Sequence, residues 1–284
     1  MSGLLSGLGS FGLEGLEDME LFEEEKKQEK TVEAEKAQKP EVKEEEYLFD
    51  KTFQCPVCDK KVTARTIRTG KVRLIGADPD MRPRYEQTDP LKYDVIMCDR
   101  CGFTALTRFF TYMTPTQKKA IKEKISQNFK APEVKATYTY EEALERYKMA
   151  LACSIIKGAK ASEKAYICLK MGWLCRSYGE SLDKKTPGYA DMKKEIDEME
   201  NAFLHNALDG FVAAVASENF PICGMDEVTV DYLMATLAAR FGKYDVASKL
   251  ISSVLSSHSA NSRMKDRARD LKEQVLLKIR EQGE

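Results

Sequence analysis

Histidine and tryptophan are nearly absent from this 284-residue chain, which has two of the first and one of the second. His205 sits between Leu204 and Asn206 in an alanine-rich stretch, and His258 in a serine-rich one. Neither belongs to an HExxH pair or a nucleophile–base pattern, so histidine-based hydrolysis and acyl transfer have no anchor here. Walker A and dinucleotide-binding glycine motifs are missing too, which removes the commonest nucleotide-dependent chemistries. No apolar run is long enough to span a bilayer, so stable membrane insertion is not expected. Residues 1–16 are rich in Gly and lack Lys and Arg, unlike a secretory leader with its basic start. They read as a flexible end, with a weakly amphipathic docking peptide as the alternative. A formal net charge of -1 excludes any global attraction to nucleic acid or acidic membranes and leaves only local patches.

The charge that is present is unevenly placed. Residues 17–46 hold thirteen acidic and six basic side chains with few apolar ones. Such a segment has too little to bury against the entropy of ordering, so residues 1–46 are expected to be a disordered acidic extension. It either solubilises the chain or covers a basic surface. Residues 54–135 supply such a surface, with 17 Lys and Arg against 9 Asp and Glu.

Eight cysteines in a chain of this size do not describe a disulfide scaffold. Four of them form two tight pairs, Cys55-x2-Cys58 and Cys98-x2-Cys101, separated by 39 residues. Each pair can occupy a tight turn with both sulfurs aimed at one point, and two such turns supply a tetrahedral set of thiolates. Zn2+ takes that set without redox chemistry, and four sulfurs leave no position for water or substrate. One structural Zn2+ is therefore the expected cofactor. Iron held by four sulfurs and a thiol redox pair are the alternatives. Gly102 follows the second pair, where positive φ would be easiest for glycine. The pairs also point to a reducing compartment, with the cytoplasm as the default location.

Around these cysteines, residues 47–114 read as short strands and loops. Val62, Ala64 and Thr66 alternate, as do Val72 with Leu74 and Tyr93 with Val95 and Met97. The stretch from Phe103 to Tyr112 suits a pleated surface, and several Gly and Pro residues interrupt any long element. Residues 115–138 read as a connecting helix and linker. Residues 139–284 look all-helical: Thr139 and Glu142 match a capping box, and further helices begin near Ser162, Tyr189, Val228, Tyr244 and Asn261. The third of these six is expected to break near Gly210. Ala235, Gly242, Tyr244, Ala247, Ile251 and Val254 follow the order of a tetratricopeptide helix pair. The fold class is α+β: an N-terminal β-rich, zinc-ribbon-like module followed by an all-helical, tetratricopeptide-like array.

Other residues carry weaker signals. The segment Asp78 to Tyr85 is rich in Arg and Pro, and Arg82, Arg84 and Tyr85 are candidate contacts for a phosphate or a stacked base. A solvated loop held by local ion pairs accounts for the same residues. Tyr232, Arg240 and Tyr244 are candidate partner contacts on the array. Cys153, Cys168, Cys175 and Cys223 fit core packing. The run Glu195, Asp197, Glu198 and Glu200 fits a wet helix face.

The segments FQCPVCDKKV, LKYDVIMCDRCGFTA, GKYDVASKLISSVL and SRMKDRARDLKEQ together resemble the bacterial family DUF2225. The resemblance spans roughly Tyr47 to Gln274. It implies a cysteine ribbon joined to a tetratricopeptide-like array, assigns the metal to Cys55, Cys58, Cys98 and Cys101, and carries no activity. The acidic front extension departs from the family core. The expected function is a zinc-containing interaction or scaffold protein with a protein or peptide partner. Nucleic-acid binding through the basic ribbon and a redox-responsive zinc switch are the alternatives.

Overall fold

The computed structural model describes residues 43–283, and their secondary structure is mixed α+β and mostly helical. Glu44–Tyr47 is a 3-10 turn, and Glu44 pairs with Lys92 at 2.6 Å. Residues 44–46, counted above with the extension, are thus tied to the folded unit. The roles suggested for residues 1–42, as docking peptide or acidic cover, lie outside the described residues.

Six short strands form three antiparallel pairs. β1 (Leu48–Gln54) pairs in full register with β2 (Lys61–Ile67), β3 (Leu74–Ala77) pairs with β4 (Pro83–Tyr85) with a register shift between Leu74 and Gly76, and β5 (Val95–Met97) pairs in full register with β6 (Thr104–Leu106). Each cysteine pair forms the turn of a hairpin, at the tips of β1–β2 and β5–β6. Pleating extends less far than alternation suggested. Leu74 begins β3, and Tyr93 lies in a 3-10 turn. The chain after Leu106 turns through Thr107–Phe109 so that Phe110 packs against Phe103 and Phe53.

Seven α-helices follow among the described residues: α1 (Pro115–Ile121), α2 (Tyr140–Ile156), α3 (Ala161–Ser181), α4 (Tyr189–Ser217), α5 (Glu227–Arg240), α6 (Tyr244–Ser256) and α7 (Ser262–Gly283). Their starts follow from capping chemistry. Reciprocal capping boxes link Thr114 with Gln117 and Thr139 with Glu142, and Asp226 accepts from the Thr229 N–H at 2.8 Å. α1 continues into a π-type turn at Lys122–Ser126. Gly242, at φ 69°, closes α5 before Tyr244 opens α6. α4 runs unbroken through Gly210. A β-carbon at 210 would lie 2.7 Å from that of Ala165, so this glycine permits close packing on α3 rather than a break. None of these helices is long and apolar enough to cross a membrane.

The main core joins α2 to α7, with Tyr147, Ile167, Leu169, Leu204, Phe211, Leu233 and Leu237 deep within it. A second apolar cluster surrounds the cysteine turns. The second hairpin is fastened to α2, where the Thr104 N–H donates to Cys153 Sγ at 3.4 Å and the Tyr147 hydroxyl donates to the Leu91 carbonyl at 3.0 Å.

Candidate metal centre

The two cysteine turns are one structure used twice. In the first, Cys55 N–H donates to the Lys60 carbonyl at 2.9 Å and Asp59 N–H donates to the Cys55 carbonyl at 3.0 Å. In the second, Cys98 N–H donates to the Phe103 carbonyl and Gly102 N–H to the Cys98 carbonyl, both at 2.9 Å. The residue four beyond each leading cysteine has positive φ, 58° at Asp59 and 73° at Gly102. Aspartate is among the few side chains that tolerate this region, and glycine enters it freely.

This shared turn brings the four sulfurs together. Cys55 and Cys101 are 3.6 Å apart, as are Cys58 and Cys98, and all four sulfurs lie within 4.8 Å of one another. A disulfide needs about 2.05 Å, and all eight cysteines are free thiols. Metal–sulfur bonds of about 2.3 Å in a tetrahedron place its corners about 3.8 Å apart, so the set fits one metal ion. Cys55, Cys98 and Cys101 are buried, and Cys58 is partly exposed. Val57, Val62, Ile96, Phe103 and Ile121 pack around the group.

The electrostatics also favour a cation. Hydrogen bonds from the Cys101 and Cys55 thiols, helped by the backbone N–H groups of Cys101 and Arg100, hold Cys98 far below the ordinary thiol range. The contacts with Cys55 and Cys98 push Cys101 far above it. Four adjacent thiolates repel one another unless a cation lies between them. The remaining cysteines are ordinary core groups. Burial raises Cys153, takes Cys168 to about 11 and Cys175 to about 12, and Cys223, half-buried, also rises to about 11.

The family model for DUF2225, described as an uncharacterized protein conserved in bacteria, matches residues 48–275. The chain belongs to this family. All four clustered cysteines and the three strand pairs lie within the DUF2225 match. No curated protein and no solved structure was found to match the chain.

Sequence reasoning missed a second polar centre. Asp78 to Tyr85 is not a solvated loop, since Asp78, Asp80 and Arg82 are all buried. Arg82 donates to Asp78 at 2.6 Å, to Ser177 at 2.9 Å and to both oxygens of Glu180 at 2.8 and 2.9 Å. Arg84 bonds Asp78 and Glu180. Arg176 bridges Asp78 at 2.9 Å, Asp80 at 2.6 Å and Glu200 at 2.8 Å. Arg240 reaches Glu200 at 2.9 Å, and the Trp173 indole N–H donates to Asp80 at 3.2 Å. Four arginines and four carboxylates therefore close into a neutral network between the β3–β4 hairpin and α3, α4 and α5. Glu200 is buried rather than on a wet face, because two guanidiniums neutralise it there.

This placement alters the candidate contacts. Arg82 and Tyr232 face inward, so neither presents a surface: each guanidinium nitrogen of Arg82 is hydrogen-bonded, and Tyr232 packs in the helical core. Arg84 is half-exposed but bonded, and Tyr85 borders a polar cleft with Tyr140 and Glu180. Of the other ribbon cations, Arg65 pairs with Asp50 at 3.1 Å, Arg73 lies 4.0 Å from Glu86, and Arg68 donates to the Leu48 carbonyl. Arg240 and Tyr244 line a groove of about 530 Å³ between α5 and α7, with Leu237, Val275 and Leu277 as apolar walls.

Proposed function

We propose that this chain is a zinc-containing interaction or scaffold protein. In this reading one Zn2+ is held by Cys55, Cys58, Cys98 and Cys101, and the helices form a tetratricopeptide-like array that receives a protein or peptide partner. The observation that carries it is the closure of the sulfur set. Four sulfurs within 4.8 Å use every corner of a tetrahedral ion, and three of them are buried. Such an ion cross-links two hairpins that have little core of their own, and its contribution is folding free energy.

The array half is supported by two antiparallel helix pairs, α3 with α4 and α5 with α6. Small side chains, Ala165 against Gly210, sit at the crossing of the first pair. The groove between α5 and α7 combines apolar walls with Arg240, Tyr244 and Lys278 at its rim. Leu277 is 56% exposed there, as a contact residue would be. Metal analysis of the purified chain should return one zinc per molecule, falling to none in Cys98→Ser. Crosslinked partners recovered from a native lysate should be lost with Leu277→Glu and Tyr244→Ala together. Unchanged recovery by that double variant sinks the groove, and a zinc-free native protein sinks the metal half.

A further inference from the structure

The net positive charge of the folded unit is concentrated in the two cysteine turns and the α1 segment. Residues 44–284 carry 39 basic and 35 acidic side chains. The two cysteine turns (residues 55–61 and 98–102) and the α1 segment (residues 115–130) alone carry eight basic and three acidic ones. This small region thus holds more than the whole net positive charge of the unit. A tetrathiolate centre of about -2 beneath it would leave the face positive.

Packing brings these segments together. The inward stripe of α1 and its π turn, Ile121 and Ile125, belongs to the apolar cluster around the cysteines. Ser126 Oγ donates to the Cys101 carbonyl at 2.7 Å, and Lys118 lies 4.0 Å from Asp59 of the first turn. α1 is therefore clamped across both turns, with its lysines outward. Lys60, Lys61, Lys119, Lys122, Lys124 and Lys130 are all exposed. Among the described residues only Lys119 of these six meets a carboxylate, Glu123 at 3.8 Å. The arginines of the β3–β4 hairpin, by contrast, are engaged within the protein.

Charge alone does not name a partner, but Tyr112 adds a second feature. It is 80% exposed and stands two residues before Thr114, the cap of α1. An exposed aromatic at the entry to a lysine-rich helix matches the chemistry that holds single strands, with cations along the backbone and a ring for a base to stack on. A membrane-binding helix would instead show an apolar outer stripe, whereas the apolar residues of α1 turn inward.

We propose that this face binds single-stranded nucleic acid, with phosphates along Lys60, Lys61, Lys119, Lys122 and Lys124 and a base stacked on Tyr112. The site is independent of the groove between α5 and α7.

The test is fluorescence anisotropy of the full chain with labelled 20-nucleotide oligouridylate and oligothymidylate. Saturable binding of either strand is expected at 50 mM salt. About four phosphate contacts give a logarithmic salt slope of about -3, hence roughly 50-fold weaker binding at 200 mM. Lys119→Glu, Lys122→Glu and Lys124→Glu combined should weaken binding at least about 20-fold. Tyr112→Ala should weaken it about 10-fold, within the range for one stacked base, while Tyr112→Phe retains it. Circular dichroism and metal content, unchanged in each variant, show that folding is intact. No binding at 50 mM salt overturns the proposal, as does undiminished binding by the charge-reversed variant. Equal affinity of Tyr112→Ala, together with equal binding to phosphatidylglycerol vesicles, also overturns it by reducing the face to a general polyanion surface.

Discussion

Replacing Gly102 by alanine tests the construction of the centre at its tightest point. The backbone there has φ 73°, where a β-carbon costs about 1–2 kcal/mol. The new methyl would also lie 2.5 Å from Phe129 Cγ and 3.0 Å from Ile125 Cγ2, so the strap covering the second turn must shift. Overpacking of this kind costs about 1–3 kcal/mol. The two terms together predict about 2–5 kcal/mol, and a unit of this size loses about 2–4 °C of melting temperature per kcal/mol. Thermal melts monitored by circular dichroism should therefore fall by about 4–20 °C. The terms separate in a Phe129→Ala background, where only the 3.0 Å contact with Ile125 remains and Gly102→Ala should cost little beyond the backbone part. The first turn gives the converse. Asp59 holds φ 58° with a side chain, so Asp59→Gly should leave the melt unchanged or raise it. A Gly102→Ala melt within 1 °C of the parent, or an equal penalty in both backgrounds, would refute the reasoning.

Three further outcomes are expected. Arg176→Met leaves buried Asp80 without its guanidinium and Glu200 with Arg240 alone, and should cost about 3–5 kcal/mol in urea unfolding, with Arg176→Lys intermediate; a loss below 1 kcal/mol would mean the carboxylates find other partners. For Asp78, burial alone would raise the pKa, but hydrogen bonds from Arg84, Arg82 and Arg176 outweigh it and bring the carboxyl to about 2. A depressed folded value gives stability that is complete above about pH 4 and lost as pH falls toward 2. The Asp78→Asn variant should therefore lose less than the parent over that window, and parallel curves would contradict the pairing. Chelation should speed amide exchange at Val57, Val62, Ile96 and Phe103 around the cysteines while Leu204 and Phe211 in α4 stay protected. Equal acceleration throughout would mean that the ion does not act locally.

The parts of this molecule that could be read in advance are those determined by near neighbours in the chain. A CxxC pair sets its own turn, so the four sulfurs were identifiable from spacing, and their convergence adds the geometry of one closed set. Helix ends follow from residues within a turn of each boundary. Thr139 with Glu142 starts α2, and Gly242 separates α5 from α6 within a residue or two of the expected positions. Strand lengths were less legible, because Phe103 to Tyr112 has pleat-forming composition throughout yet is turned at Thr107 by packing that composition does not report.

The charge network failed to appear for a different reason. Arg82 and Glu180 are separated by 98 residues, and no local pattern links them. Asp78, Asp80 and Arg82 lie in the turn between β3 and β4 and only Arg84 in a strand, so a period-two reading of their spacing does not place them together either. The hairpin that carries them relies on these contacts. All four residues of β3 are exposed and Met81 at the tip is only partly buried against the helical core, so apolar burial contributes little to docking this hairpin. Buried ion pairs rarely exceed well-packed apolar contacts in net stability, but they are directional. Displacing the β3–β4 tip would carry its four charged side chains away from Arg176 and Glu180 and leave buried charges unpaired. The cysteine set fixes both ends of the 39-residue insert, and the charge network fixes its middle. With two such anchors, a segment that buries little apolar surface can still hold one position on the helices.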